Sequence, residues 1–147
     1  MAWLEIFNFL HFVGLAFGLG GATIASIISA KADKDAEVGK VSMKILPSII
    51  KFIWFGIILL IISGIAISSF IKWPINTNLL IIKHVFVAWI VIIGIIIGVK
   101  SKKIAILIPK GKEKPSYLFL KTKKQIKGLS IINLILWYLV TLLSAFV

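Results

Sequence analysis

The chain has 147 residues, 60% of them hydrophobic, and a mean hydropathy of +1.09, far above the apolar share of a soluble domain. Its net charge is +12, and it contains no cysteine, so disulfides, iron–sulfur clusters and thiolate-ligated cofactors are excluded.

Four long apolar stretches carry the hydropathy: approximately Trp3 to Ala30, Phe52 to Ile71, Leu79 to Val99 and Leu129 to Val147. Each is near the roughly 20 residues needed to cross a bilayer. In lipid such segments must be helical, because only internal hydrogen bonding satisfies their backbone. The sequence therefore predicts an all-α integral membrane protein, a single four-span, up-down helical bundle over residues 1–147. The first span starts Met-Ala-Trp-Leu-Glu, without the basic n-region of a signal peptide, and its apolar run is too long for one. It is expected to stay in the mature protein.

The link after span one, from Lys31 to Lys40, mixes Asp33, Asp35 and Glu37 with lysines and reads as a polar, partly helical connection. Pro47 is expected near the start of span two, where a missing N–H does least harm. Between spans two and three, Trp73 suits the headgroup level, Pro74 ends one helix, and Asn76 or Asn78 is placed to cap the next. Lys100 to Lys127 is the longest non-spanning segment; with Pro109, Gly111 and Pro115 as breakers, it is expected to lie along the membrane surface.

Every basic residue is lysine, and the lysines are unevenly placed. Five lie between spans one and two and ten between spans three and four, against Lys72 and Lys83 toward the other side. Fifteen against two places both lysine-rich loops in the cytoplasm and both termini outside, in a multi-pass plasma-membrane protein. The charge is read as a topology signal with attraction to anionic lipid, not as nucleic-acid binding, since no soluble reading module surrounds it.

The two histidines, His11 and His84, fall in the first and third spans, each eight residues after Trp3 or Asn76. Each imidazole is thus expected roughly 12 Å below its helix start, at one level of the bilayer's outer half. Ionisable side chains are costly in lipid and usually face a bundle interior, and imidazole is a preferred haem ligand. In a square bundle with neighbouring axes about 8–10 Å apart, two imidazoles and an iron can bridge the diagonal. The expectation is a non-covalent haem b held by His11 and His84.

Gly14, Gly18, Gly21 or Ala22, and Ala25 continue the His11 face downward. Such a line either packs closely against another helix or clears room for a flat macrocycle. Asn8 and Glu5 lie on the same face toward the surface, and Asn8 is a candidate partner for the outer imidazole nitrogen. Lys83 diverges from His84 by about 100° around the helix, so it either snorkels or neutralises a haem propionate. Ala88, one turn beyond His84, leaves space on that face. Gly94 and Gly98 read as a packing pair, and Ser63 and Asn133 as interhelical hydrogen-bonders.

The run from Leu10 to Ala22, with Trp54-Phe-Gly56 and Ser63-Gly64 in span two and Lys83-His84 in span three, resembles the CopD-like and membrane protoporphyrinogen oxidase families. The resemblance implies a haem-b membrane bundle in which His11 matches a first-span histidine and Lys83 a third-span lysine. The family's arginine after that histidine has no counterpart in this arginine-free chain, so the resemblance carries the haem scaffold further than the oxidase chemistry. The function expected from the residues is a membrane b-type cytochrome passing electrons, with a quinone or quinol as a compatible partner. The alternatives are a haem-dependent oxidase of porphyrinogen or superoxide-quinone type, and a non-haem transporter or channel subunit whose histidines relay protons. Besides the bilayer, further copies of the chain are compatible partners.

Overall fold

The computed structural model describes residues 2–70, 77–107 and 116–146. These form α1 (Ala2–Leu15), a π-helical turn (Ala16–Gly20), α2 (Gly21–Ala32), α3 (Ala36–Phe70), α4 (Thr77–Ile106) and α5 (Tyr117–Leu143). The first three run as one rod, so the described residues form four helices long and apolar enough to cross a bilayer: Ala2–Ala32, Glu37–Phe70, Thr77–Ile104 and Tyr117–Leu143. Within their most apolar windows no more than 17% of residues are buried. Ile58, Ile61, Ile62 and Ile65 on α3, and Ile92, Ile95 and Ile96 on α4, point outward. Lipid tails are the solvent that makes such surfaces stable. The protein is all-α and multi-pass.

The helices extend beyond the predicted spans at their lysine-rich ends. Only Asp33 to Asp35 separate α2 from α3, where the Asp35 carboxylate accepts the Glu37 and Val38 amides at 2.8 and 3.3 Å. Pro47 accordingly lies eleven residues inside α3 rather than at its start, leaving the exposed Met43 carbonyl without its ladder donor. Both described ends of the Lys100 to Lys127 stretch are helical: α4 carries Lys100, Lys102 and Lys103 onward to Ile106, and α5 begins at Tyr117, capped by the Ser116 hydroxyl accepting the Phe119 amide at 3.2 Å. Asn78 is the second residue of α4, not its cap. The expectations for Trp73, Pro74, Asn76, Pro109, Gly111 and Pro115 fall outside the described residues.

The chain divides into two compact units, residues 1–75 and 76–147. In the first, the α1–α2 rod packs antiparallel on α3. Phe7 stacks on Phe70 at 6.2 Å, Phe17 stacks on Phe52 at 5.7 Å, and a Cβ on Gly21 would strike the Ile53 side chain. The two backbones come closest at three glycines. A Cβ on Gly56 would sit 2.5 Å from the Gly18 nitrogen and 2.7 Å from the Gly14 carbonyl oxygen. The π turn lies within this contact, and the Thr23 hydroxyl takes up the Leu19 carbonyl of the turn at 2.8 Å.

In the second unit α4 and α5 form a hairpin around Ile90, Ile93, Trp137 and Val140, all buried. Lys100 Nζ donates to Gln125 Oε1 at 2.8 Å, pairing the end of α4 with the beginning of α5. Asn133, expected to bond across helices, instead has its Oδ1 buried without a partner among the described residues, as does Trp137 Nε1 one turn on.

Candidate functional site: two imidazoles with assigned protons

His11 is the tenth residue of α1 and His84 the eighth of α4, roughly 14 and 11 Å along the helix from its start.

Half-buried on α1, His11 places Nδ1 2.9 Å from Ser63 Oγ of α3. Ser63 is wholly buried, and its single hydroxyl proton is engaged by the Leu59 carbonyl at 2.6 Å. The serine oxygen therefore accepts, and His11 Nδ1 donates. A neutral imidazole with its proton on Nδ1 carries its lone pair on Nε2. The ring lies beside Gly64, next to Ser63, where a Cβ would meet His11 Cε1 at 3.8 Å, an ordinary van der Waals contact. Neither Asn8 nor Glu5 holds this nitrogen; both are exposed.

His84 reaches the same state by a shorter route. Its Nδ1 lies 2.7 Å from the Leu80 carbonyl, one turn back on α4, and a carbonyl can only accept. The proton is again on Nδ1 and the lone pair on Nε2. His84 is exposed on its hairpin, with Ala88 exposed one turn further and Lys83 half-buried beside it.

The glycine line below His11 belongs to the helix contact. Gly14 and Gly18 are buried against α3, and a Cβ on Gly14 would lie 3.0 Å from both the Gly56 carbonyl oxygen and Leu60 Cγ. The room expected there for a macrocycle is filled by α3, because glycine opposite glycine brings the backbones together. Ala22 is likewise buried, at the α2 end of this seam.

Ser63 and Gly64 were legible as polar and small residues of span two, yet their tie to His11 depends on the register that the glycine seam sets. The π turn had only the crowding of Gly18, Gly20 and Gly21 as its signal.

Among the described residues no group of three or more histidine, cysteine or acidic side chains is placed to hold a bare metal ion. Each imidazole, taken within its own unit, is instead a single nitrogen donor. A haem brings its own four equatorial nitrogens and asks the protein only for axial ligands, and ligating histidines usually donate the other N–H to a protein oxygen. Each histidine by itself has the side-chain chemistry of such a ligand, its Nδ1 tied to a protein oxygen. Compared with protein-family models, curated proteins and solved structures, the chain matches none of them.

Proposed function

We propose that this protein is a membrane b-type cytochrome in which His11 and His84 supply axial imidazoles to a non-covalent haem. The observation that supports the reading is a pair of hydrogen bonds: each of the chain's two histidines has its Nδ1 tied to a protein oxygen, Ser63 Oγ for His11 and the Leu80 carbonyl for His84, which is how ligating imidazoles are usually held. Bound haem supplies a one-electron iron couple. Around it, Ser63 and the Leu80 carbonyl fix ring orientation and raise ligand basicity, and Lys83 provides the positive charge suited to a propionate. A lipid-soluble quinol is the electron donor most compatible with a site inside the apolar layer. Reduction of the purified protein with dithionite is expected to give a sharp low-spin b-type spectrum; a high-spin product that readily takes carbon monoxide favours a single ligand and the oxidase alternative instead.

The lysine bias further supports a cytoplasmic position for both lysine-rich ends and an external position for the termini, in the plasma membrane. Single cysteines at Lys34 and Lys103 are then shielded from an impermeant thiol reagent in intact cells, while one at Thr77 is labelled. Reversed labelling would move the histidines to the cytoplasmic half of the bilayer.

A further inference from the structure

We infer that the α4–α5 hairpin binds an internal water molecule, shared by the Asn133 amide and the Trp137 indole of α5. The inference is independent of any cofactor and lies wholly within the second unit. It begins with two atoms of opposite hydrogen-bonding character. Asn133 Oδ1 can only accept and Trp137 Nε1–H can only donate, and both are buried without a partner among the described residues. They stand one helical turn apart on α5 and do not bond to each other.

Their position explains why the hairpin alone cannot satisfy them. At 100° per residue, Ser130, Asn133, Trp137 and Val140 fall within an arc of about 80°. Trp137 and Val140 are buried, as are Ile90 and Ile93 of α4, so this arc is the packed face of the hairpin. The facing helix brings it no polar partner. From Val85 to Val99 the only α4 side chain carrying a nitrogen or oxygen is Trp89, which is 53% exposed and is itself a donor. Lipid brings none either. Asn133 and Trp137 lie four and eight residues beyond Leu129, about 6 and 12 Å into the apolar run, at a depth where acyl chains carry no hydrogen-bonding group.

One water satisfies both atoms at once. It accepts from the indole and donates to the amide oxygen. The half-buried Ser130 hydroxyl on the same face supplies a third partner, matching the roughly three hydrogen bonds that buried waters make. Size selects water over a larger hydroxyl compound. Both orphaned atoms are closed off from the outside, so a quinol ring or a lipid headgroup would have to part the helices to reach them. The water thereby holds an amide and an indole inside the apolar layer that neither helix satisfies.

The test uses the full-length protein in lipid nanodiscs, isotope-labelled at its tryptophan indoles, with Trp137→Phe identifying the Trp137 signal by nuclear magnetic resonance. The Trp137 indole proton is expected to show a nuclear Overhauser contact with water, while a paramagnetic chelate confined to bulk water leaves its signal sharp. Asn133→Leu should abolish the contact. Asn133→Ser, which keeps a short acceptor, should retain it, and circular dichroism of both variants separates a lost acceptor from a lost fold. A wild-type Trp137 indole proton without a water contact would overturn the inference. So would a contact that survives Asn133→Leu, as one relayed by the Ser130 hydroxyl proton would, or a signal broadened by the chelate, which would mean a crevice open to bulk water.

Discussion

Replacing His11 or His84 by alanine is expected to remove the low-spin haem signature, whereas Lys83→Ala is expected to retain it and change mainly the reduction potential. On the proposed ligation each alanine would delete one of two iron ligands, and a low-spin b-type iron requires both. Ser63→Ala is the graded companion. It leaves the His11 ring in place but takes away the oxygen that accepts its Nδ1 proton, and loss of such an orienting partner typically weakens binding by about 10–100-fold. The order expected in a haem titration is therefore wild type, then Ser63→Ala, then His11→Ala. Wild-type affinity in Ser63→Ala would mean that the serine only fills space. A low-spin spectrum surviving His84→Ala would remove His84 from the ligand set.

The largest structural effect is expected at Gly56. Its missing side chain leaves the closest approach of α1 and α3, and the atoms it would strike are backbone atoms of Gly14 and Gly18. A flexible side chain could swing aside; a helix backbone cannot without the helices parting. Gly56→Leu should therefore separate the first hairpin, and even Gly56→Ala should cost about 1–3 kcal/mol of hairpin stability, in the range of overpacked cores. Because His11 and Ser63 meet across the same seam, the haem signature is expected to weaken in parallel. Gly98→Ala is the control, since a Cβ there meets nothing within 4 Å. In a helix interior that exchange should stabilise by up to about 1 kcal/mol. Thermal unfolding followed by circular dichroism in detergent distinguishes the two; equal midpoints for Gly56→Ala and wild type would show that the seam does not hold the hairpin together.

Span number and helical class were legible because hydropathy and length leave one solution in lipid. Helix ends were not. The apolar runs marked where a helix leaves the bilayer, while lysine is a good helix former and carries α4 on to Ile106 and lets α5 begin at Tyr117. Pro47 misled for the same reason, since the lysine-flanked stretch ahead of the span is already helix. At the site, the histidines stood out by scarcity and depth, but the partner of His11 did not. Asn8 shares its helix face and looked close at hand, yet the bond goes to Ser63, fifty-two residues away, at a register decided by Gly14, Gly18 and Gly56. The glycine face had two readings in sequence, and packing took it. Asn133 failed as a hydrogen-bonder because a polar residue in an apolar run marks a need for a partner without naming where the partner stands.

The most direct measurement is low-temperature electron paramagnetic resonance of the oxidised protein, purified after expression with ample haem supply and compared with the His11→Ala and His84→Ala variants. The account predicts a ferric low-spin signal with the g-anisotropy of two imidazole ligands, converted in each variant to a high-spin signal or lost with the haem. A colourless, iron-free wild-type protein with intact helical content, or a haem signal indifferent to both histidines, would contradict it.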